Sequence, residues 1–133
     1  MEEIIDELRS RNEPVPVALE LPEFADLVLV EEQLLISLDR DFRDFLLNVS
    51  DVVYGSLEPV TVMDSGSHTY LPELAAMAWD QGLPRNLIPL CEDGNKLYCV
   101  NEDGEVGLWE NAALTEDSWE NVWYWVQDVW LAR

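Results

Sequence analysis

LIPLCEDGNKLYCVNEDGEVGLWE, residues Leu87 to Glu110, is the stretch whose pattern decides the fold. Leu87–Cys91, Leu97–Val100 and Val106–Trp109 are short apolar runs of strand length. The gaps between them, Glu92–Lys96 and Asn101–Glu105, each contain Asp-Gly. Asp-Gly between apolar runs is a strong hairpin signal, because glycine takes the positive φ that a tight turn demands. The pattern predicts three consecutive antiparallel strands in one sheet.

Helical signals flank this segment. Upstream, Met1–Arg11 places Ile4, Ile5 and Leu8 on one stripe, with Glu2, Glu3 and Asp6 near the positive end of the helix dipole. Asn12–Pro22 carries three prolines and reads as an extended connection. Val30–Ser37 has the apolar content of a short helix or of a strand. Asp39 is placed to cap a helix over Arg40–Val49, whose Phe42, Phe45, Leu46 and Val49 share a face. Val52–Gly55 and Val60–Met63 favour strand, and polar Asp64–Thr69 reads as a loop. Tyr70–Gln81 is predicted helical, with Leu74, Ala75, Ala78 and Trp79 on one side and Gly82 as its stop. Downstream, Thr115–Leu131 is predicted as a closing helix, with Trp119, Val122, Trp123, Val126 and Trp130 facing the core. The expected fold is α+β, a mainly antiparallel sheet with helices packed on it, in a single domain over residues 1–133.

Composition narrows the function. The chain has 28 Asp and Glu against 7 Lys and Arg, a net charge of −21. Such a surface repels phosphate backbones and anionic membranes, and it attracts basic partners. Acidity also serves solubility alone in many proteins. No apolar run approaches the roughly 20 residues that span a bilayer. The start, Met1-Glu2-Glu3, lacks the basic region and apolar core of a secretory signal, so a cytoplasmic location is expected.

Motifs for chemistry are sparse. His68 is the one histidine, and Cys91 and Cys99 are eight apart without a CxxC, so neither a metal nor any other cofactor is expected. A hairpin loop centred on Asn95 would set the two cysteines opposite each other, within reach of a disulfide, while a reducing compartment favours free thiols. The acidic turns lack the spacing of an EF-hand. Asp64-Ser65-Gly66-Ser67-His68 collects Asp, Ser and His in one loop, but triad groups must converge in space with an oxyanion hole. It stands as the basis of a small-hydrolase alternative.

The chain resembles the SUKH superfamily, in its branch named after the yeast cell-wall assembly regulator. Leu38-Asp39-Arg40-Asp41-Phe42-Arg43-Asp44-Phe45-Leu46-Leu47-Asn48 matches that branch's early helix. Leu87–Gly94, Leu97–Asn101 and Gly104–Trp109 match its strand meander. The matches depart from the family pattern at Asp39, where the family has Pro, at Val49-Ser50-Asp51, where it has Gly, and at Asn101, where it has Asp. The resemblance implies an α+β domain that binds protein partners and has no known catalytic site. Many bacterial members are immunity proteins that neutralise toxin domains, often nucleases, and eukaryotic members act in regulation.

Together these readings give the expectation of a non-enzymatic, bacterial immunity protein that masks the basic site of a toxin. The alternative is an intracellular regulatory module with an endogenous partner. The chain is expected to be a monomer or a weak homodimer that binds no nucleic acid directly. Two surfaces are candidates for the partner. One is an outer face of the last helix formed by Tyr124, Trp125 and Leu131. The other is the pair of acidic loops, through Glu92, Asp93, Glu102, Asp103 and Glu105.

Overall fold

A computed structural model describes residues 1–133. Helices α1 (Glu2–Ser10), α2 (Phe24–Leu34) and α3 (Arg40–Val49) come first. A two-residue strand β1 (Glu58–Pro59) and helix α4 (Leu71–Asp80) follow. Strands β2 (Ile88–Asp93), β3 (Lys96–Val100), β4 (Val106–Glu110) and β5 (Ala113–Trp119) then form a meander. The chain closes with α5 (Val122–Trp125), which runs into a π-helical stretch, Val126–Trp130. The sheet has the order β1-β2-β3-β4-β5, every neighbour antiparallel. This is the expected α+β fold.

The meander forms as its turn signals require. Gly94 and Gly104 have φ of +63° and +87°. The β2–β3 turn is centred between Gly94 and Asn95, so Asp93 opposes Lys96 and Cys91 opposes Tyr98. This differs by half a residue from a loop centred on Asn95, and side chains alternate between faces. Cys91 therefore shares the face of Tyr98, while Cys99 lies on the other face, opposite Pro89. The two thiols are free and buried on opposite sides of the sheet, and burial pushes each up to about 12.

One face of the sheet carries the main core. Tyr98, Val100, Val106 and Leu108 meet Phe42, Phe45, Leu46 and Val49 of α3 and the tryptophans of the last helix. Ring centroids are 5.4 Å apart for Tyr98–Trp125 and 6.0 Å for Phe45–Trp123, in edge-to-face packing. A smaller cluster of Leu83, Leu87 and Cys99, with Ala78, Trp79, Leu97 and Trp109 packed on it, occupies the other face.

Three expectations are corrected. Val52–Gly55 forms no strand, because its backbone bonds to the connection after α1: Val53 N–H donates to Asn12 Oδ1 at 2.8 Å, and its carbonyl accepts from Glu13 N–H at 2.7 Å. Val60–Met63 forms no strand either: the paired residues are Glu58–Pro59 just before it, and within it only Thr61 makes an isolated bridge, to Tyr70. The segment Thr115–Trp119 belongs to β5, and the last helix starts only after Asn121. Of the segment Val30–Ser37, Val30–Leu34 is the end of α2, which begins at Phe24, and Leu35, at φ 56°, stops the helix before Ser37.

Candidate functional site

The predicted outer face of the last helix does not exist as a surface. Tyr124 is 48% exposed, but Trp125 is fully buried and Leu131 nearly so. Two features turn these residues inward. Asn121 caps the helix, accepting from the N–H of Trp123 and of Tyr124 at 3.0 and 3.1 Å, which fixes its phase. The π-helical stretch then widens the turn, with Leu131 N–H donating to the carbonyl of Val126 five residues back at 2.8 Å. Leu131 thereby returns to the core side.

The two acidic loops are on the surface but not together. They cap opposite ends of β3, roughly 15 Å apart along the strand. In the first, Glu92 is exposed, whereas Asp93 is held by Arg133 at 2.7 Å, which lowers its carboxyl below the ordinary range. In the second, Asn101 organises the turn: its Oδ1 accepts from the N–H of Asp103 and of Glu105, each at 2.9 Å. Its Nδ2 donates to Glu105 Oε1 at 3.1 Å. Glu102 and Asp103 remain exposed with free carboxylates.

The second loop sits on the start of α3. The Asp39 carboxylate accepts from Asp41 and Phe42 N–H at 2.9 and 3.2 Å, and Gly104 packs directly against it. Asp41 beside it has its carboxyl raised, by partial burial first and by Asp39 and Asp44 next. This end of the sheet is a concentration of negative charge.

The Asp64–His68 loop does not assemble a triad. Asp64 Oδ1 accepts from Gly66 N–H at 2.9 Å, and the Ser67 hydroxyl bonds that of Thr69 at 2.8 Å. His68 Nε2 bonds Glu58 across to β1. Each group is engaged with a different neighbour. The loop borders a cavity of about 230 Å³ that also meets Val15, Val17 and Leu19 of the proline-containing connection. No group of His, Cys, Asp and Glu has a metal-binding arrangement. No helix is long and apolar enough to cross a membrane.

Sequence reasoning missed the open side of the last hairpin. Trp109, read from the sequence as the end of a strand, is half-buried, on the face away from the main core. Leu114, assigned just before a helix, is half-exposed beside it on β5. Asn111-Ala112 was the available signal, but a hairpin turn of this type is usually announced by Asn-Gly.

A family model described as SUKH_5, SMI1-KNR4 cell-wall, matches residues 1–131. Among solved structures, a crystal structure of a protein from Pseudomonas syringae pv. tomato matches with a TM-score of 0.97 and 62% identity, over 100% of both chains. No curated protein sequence matches.

Proposed function

The chain belongs to the SMI1-KNR4 cell-wall family, SUKH_5, and from that premise we propose that it is a non-catalytic protein-binding domain of the immunity type. It neutralises a cognate toxin domain, a nuclease in the simplest case, by covering its basic substrate groove. The observation that carries this reading is a surface of one sign. Acidic residues outnumber basic ones 28 to 7, and the basic ones are largely consumed within the chain. Arg9, Arg11, Lys96 and Arg133 face Asp51, Glu7, Glu110 and Asp93. Arg43 and Arg85 bond carbonyls and lie over the rings of Phe24 and Trp79. The field left for a partner is that of carboxylates.

A nuclease must carry the opposite field to hold a phosphate backbone. Opposed surfaces of this kind accelerate encounter and disfavour wrong partners. The test is co-expression with the toxin domain encoded beside this protein. Restored growth supports the reading. Continued toxicity at matched expression, or the absence of any such toxin, contradicts it. The words "cell-wall" in the family description favour a second reading, an endogenous regulatory partner. That reading predicts a single stable complex in cells that carry no toxin.

A further inference from the structure

The last hairpin leaves an edge and part of a face of the sheet without cover. β5 is the outermost strand, and none of its residues is buried. On the face away from the main core, Leu97 lies opposite Trp109, and Trp109 opposite Leu114. Leu114 folds across the bare Cα of Gly107, where a Cβ would come within 3.0 Å of its Cδ2. The row is thus continuous from β3 to the edge. Beside it, Leu97, Trp109 and the 58%-exposed Met77 of α4 line a cavity of about 450 Å³.

We propose that this edge and row receive an extended, positively charged segment of the partner, which adds to β5 as a further strand and sets an apolar side chain into the cavity at Trp109. The inference rests on the partner-binding reading above and names its docking face. An open edge offers main-chain hydrogen bonds to any strand, and alternate side chains then decide which strand is accepted. Here the selecting groups are acidic. Glu116 and Asp117 lie on β5, Glu110 ends β4, and Glu120 follows β5. The cation of this region, Lys96, is already 3.8 Å from Glu110.

The same charges decide against a second copy of the chain. Antiparallel pairing of β5 with itself would bring Glu116 and Asp117 of one copy toward the same carboxylates of the other, and like charges across a strand pair repel. Each copy would also bring a net charge of −21. The edge is therefore guarded against its own kind and open to a strand bearing Lys or Arg. Trp109, half-buried beside a cavity, has the chemistry of an interface anchor.

The test uses isotope-labelled protein and two short synthetic peptides, one alternating Lys with Val and one alternating Glu with Val. The Lys peptide is expected to shift the amide resonances of Ala113–Trp119 and slow their hydrogen exchange, while the Glu peptide leaves them unchanged. The exposed double variant Glu116→Lys, Asp117→Lys should weaken Lys-peptide binding roughly tenfold or more. Equal response to both peptides, shifts confined to another surface, or concentration-dependent shifts of β5 without peptide would each overturn the proposal. Growth rescue with the double variant separates the two levels. If wild type and variant protect equally, the docking face is wrong and the immunity reading stands. If wild type fails to protect while the peptide results hold, the immunity reading is wrong and the docking face stands.

Discussion

Gly104 has a φ of +87°, and a Cβ placed on it would fall 2.6 Å from the carboxyl carbon and both carboxyl oxygens of Asp39. The glycine satisfies a turn and at the same time leaves room for a helix cap from a distant part of the chain. Gly104→Ala should cost about 2 kcal/mol or more in urea unfolding, through strain and displacement of the cap. Asp39→Ala alone should cost about 1 kcal/mol. Combined, the two losses should be less than additive, because removing the carboxylate relieves the clash; full additivity would show that backbone strain alone is responsible. Ala112 offers the converse case. With Asn111 at φ 54° and Ala112 at φ 62°, the β4–β5 turn puts a side chain where glycine is preferred. Ala112→Gly should raise stability by about 1 kcal/mol, seen as a higher urea midpoint with an unchanged slope. A lower midpoint would mean that the entropy of the unfolded chain outweighs the relief.

At the scale of elements, what was legible in the sequence was what local chemistry alone determines. Asp39 capping α3, the Asp-Gly turns and the Phe42–Phe45–Leu46–Val49 face all depend on neighbours in the chain, and all are as predicted. β5 was not legible. Both of its faces are largely exposed, so it lacks the alternation that marks a half-buried strand, and its Glu and Asp are poor strand formers. The helical period of Val122, Trp123, Val126 and Trp130 is real, and extending it back to Trp119 absorbed the strand into the helix. The π-helical stretch was likewise invisible, since nothing in local composition announces a widened turn. Its consequence is testable. Trp125→Ala should cost about 3–5 kcal/mol, as expected for a buried tryptophan, whereas Tyr124→Ser should stay within about 0.5 kcal/mol. Similar losses at both positions would contradict the phase assigned to this helix.

The whole molecule is dominated by its charge, and that was fully legible in composition, whereas the placement of the carboxylates in space was not. Glu92 and Asp93 lie at the opposite end of β3 from Glu102, Asp103 and Glu105, and the strand edge emerged only from the pairing of β4 with β5. The carboxylates do not act alike on stability. Asp93 is lowered by its hydrogen bond with Arg133, so it stabilises the fold above its unfolded pKa, and that contribution is lost as pH falls through the folded value. Asp41 is raised by burial and by Asp39 and Asp44, so its contribution is greatest below the unfolded pKa and is lost as pH rises through the folded value. Asp41→Asn should therefore raise the melting temperature near pH 7, and the gain should vanish near about pH 3, where both forms are neutral. A variant less stable than wild type near pH 7 would show that the dipole of α3 outweighs the repulsion.

The central claim is that the acidic surface draws in a basic protein partner. Its most direct test is the association rate constant with a toxin domain of the proposed kind, measured by stopped flow between about 0.05 and 0.5 M salt, where screening shortens from beyond 10 Å to a few ångströms. The account predicts a fall on the order of tenfold or more, with a smaller change in the dissociation rate. An association rate independent of salt would contradict it and leave the charge of −21 a matter of solubility alone.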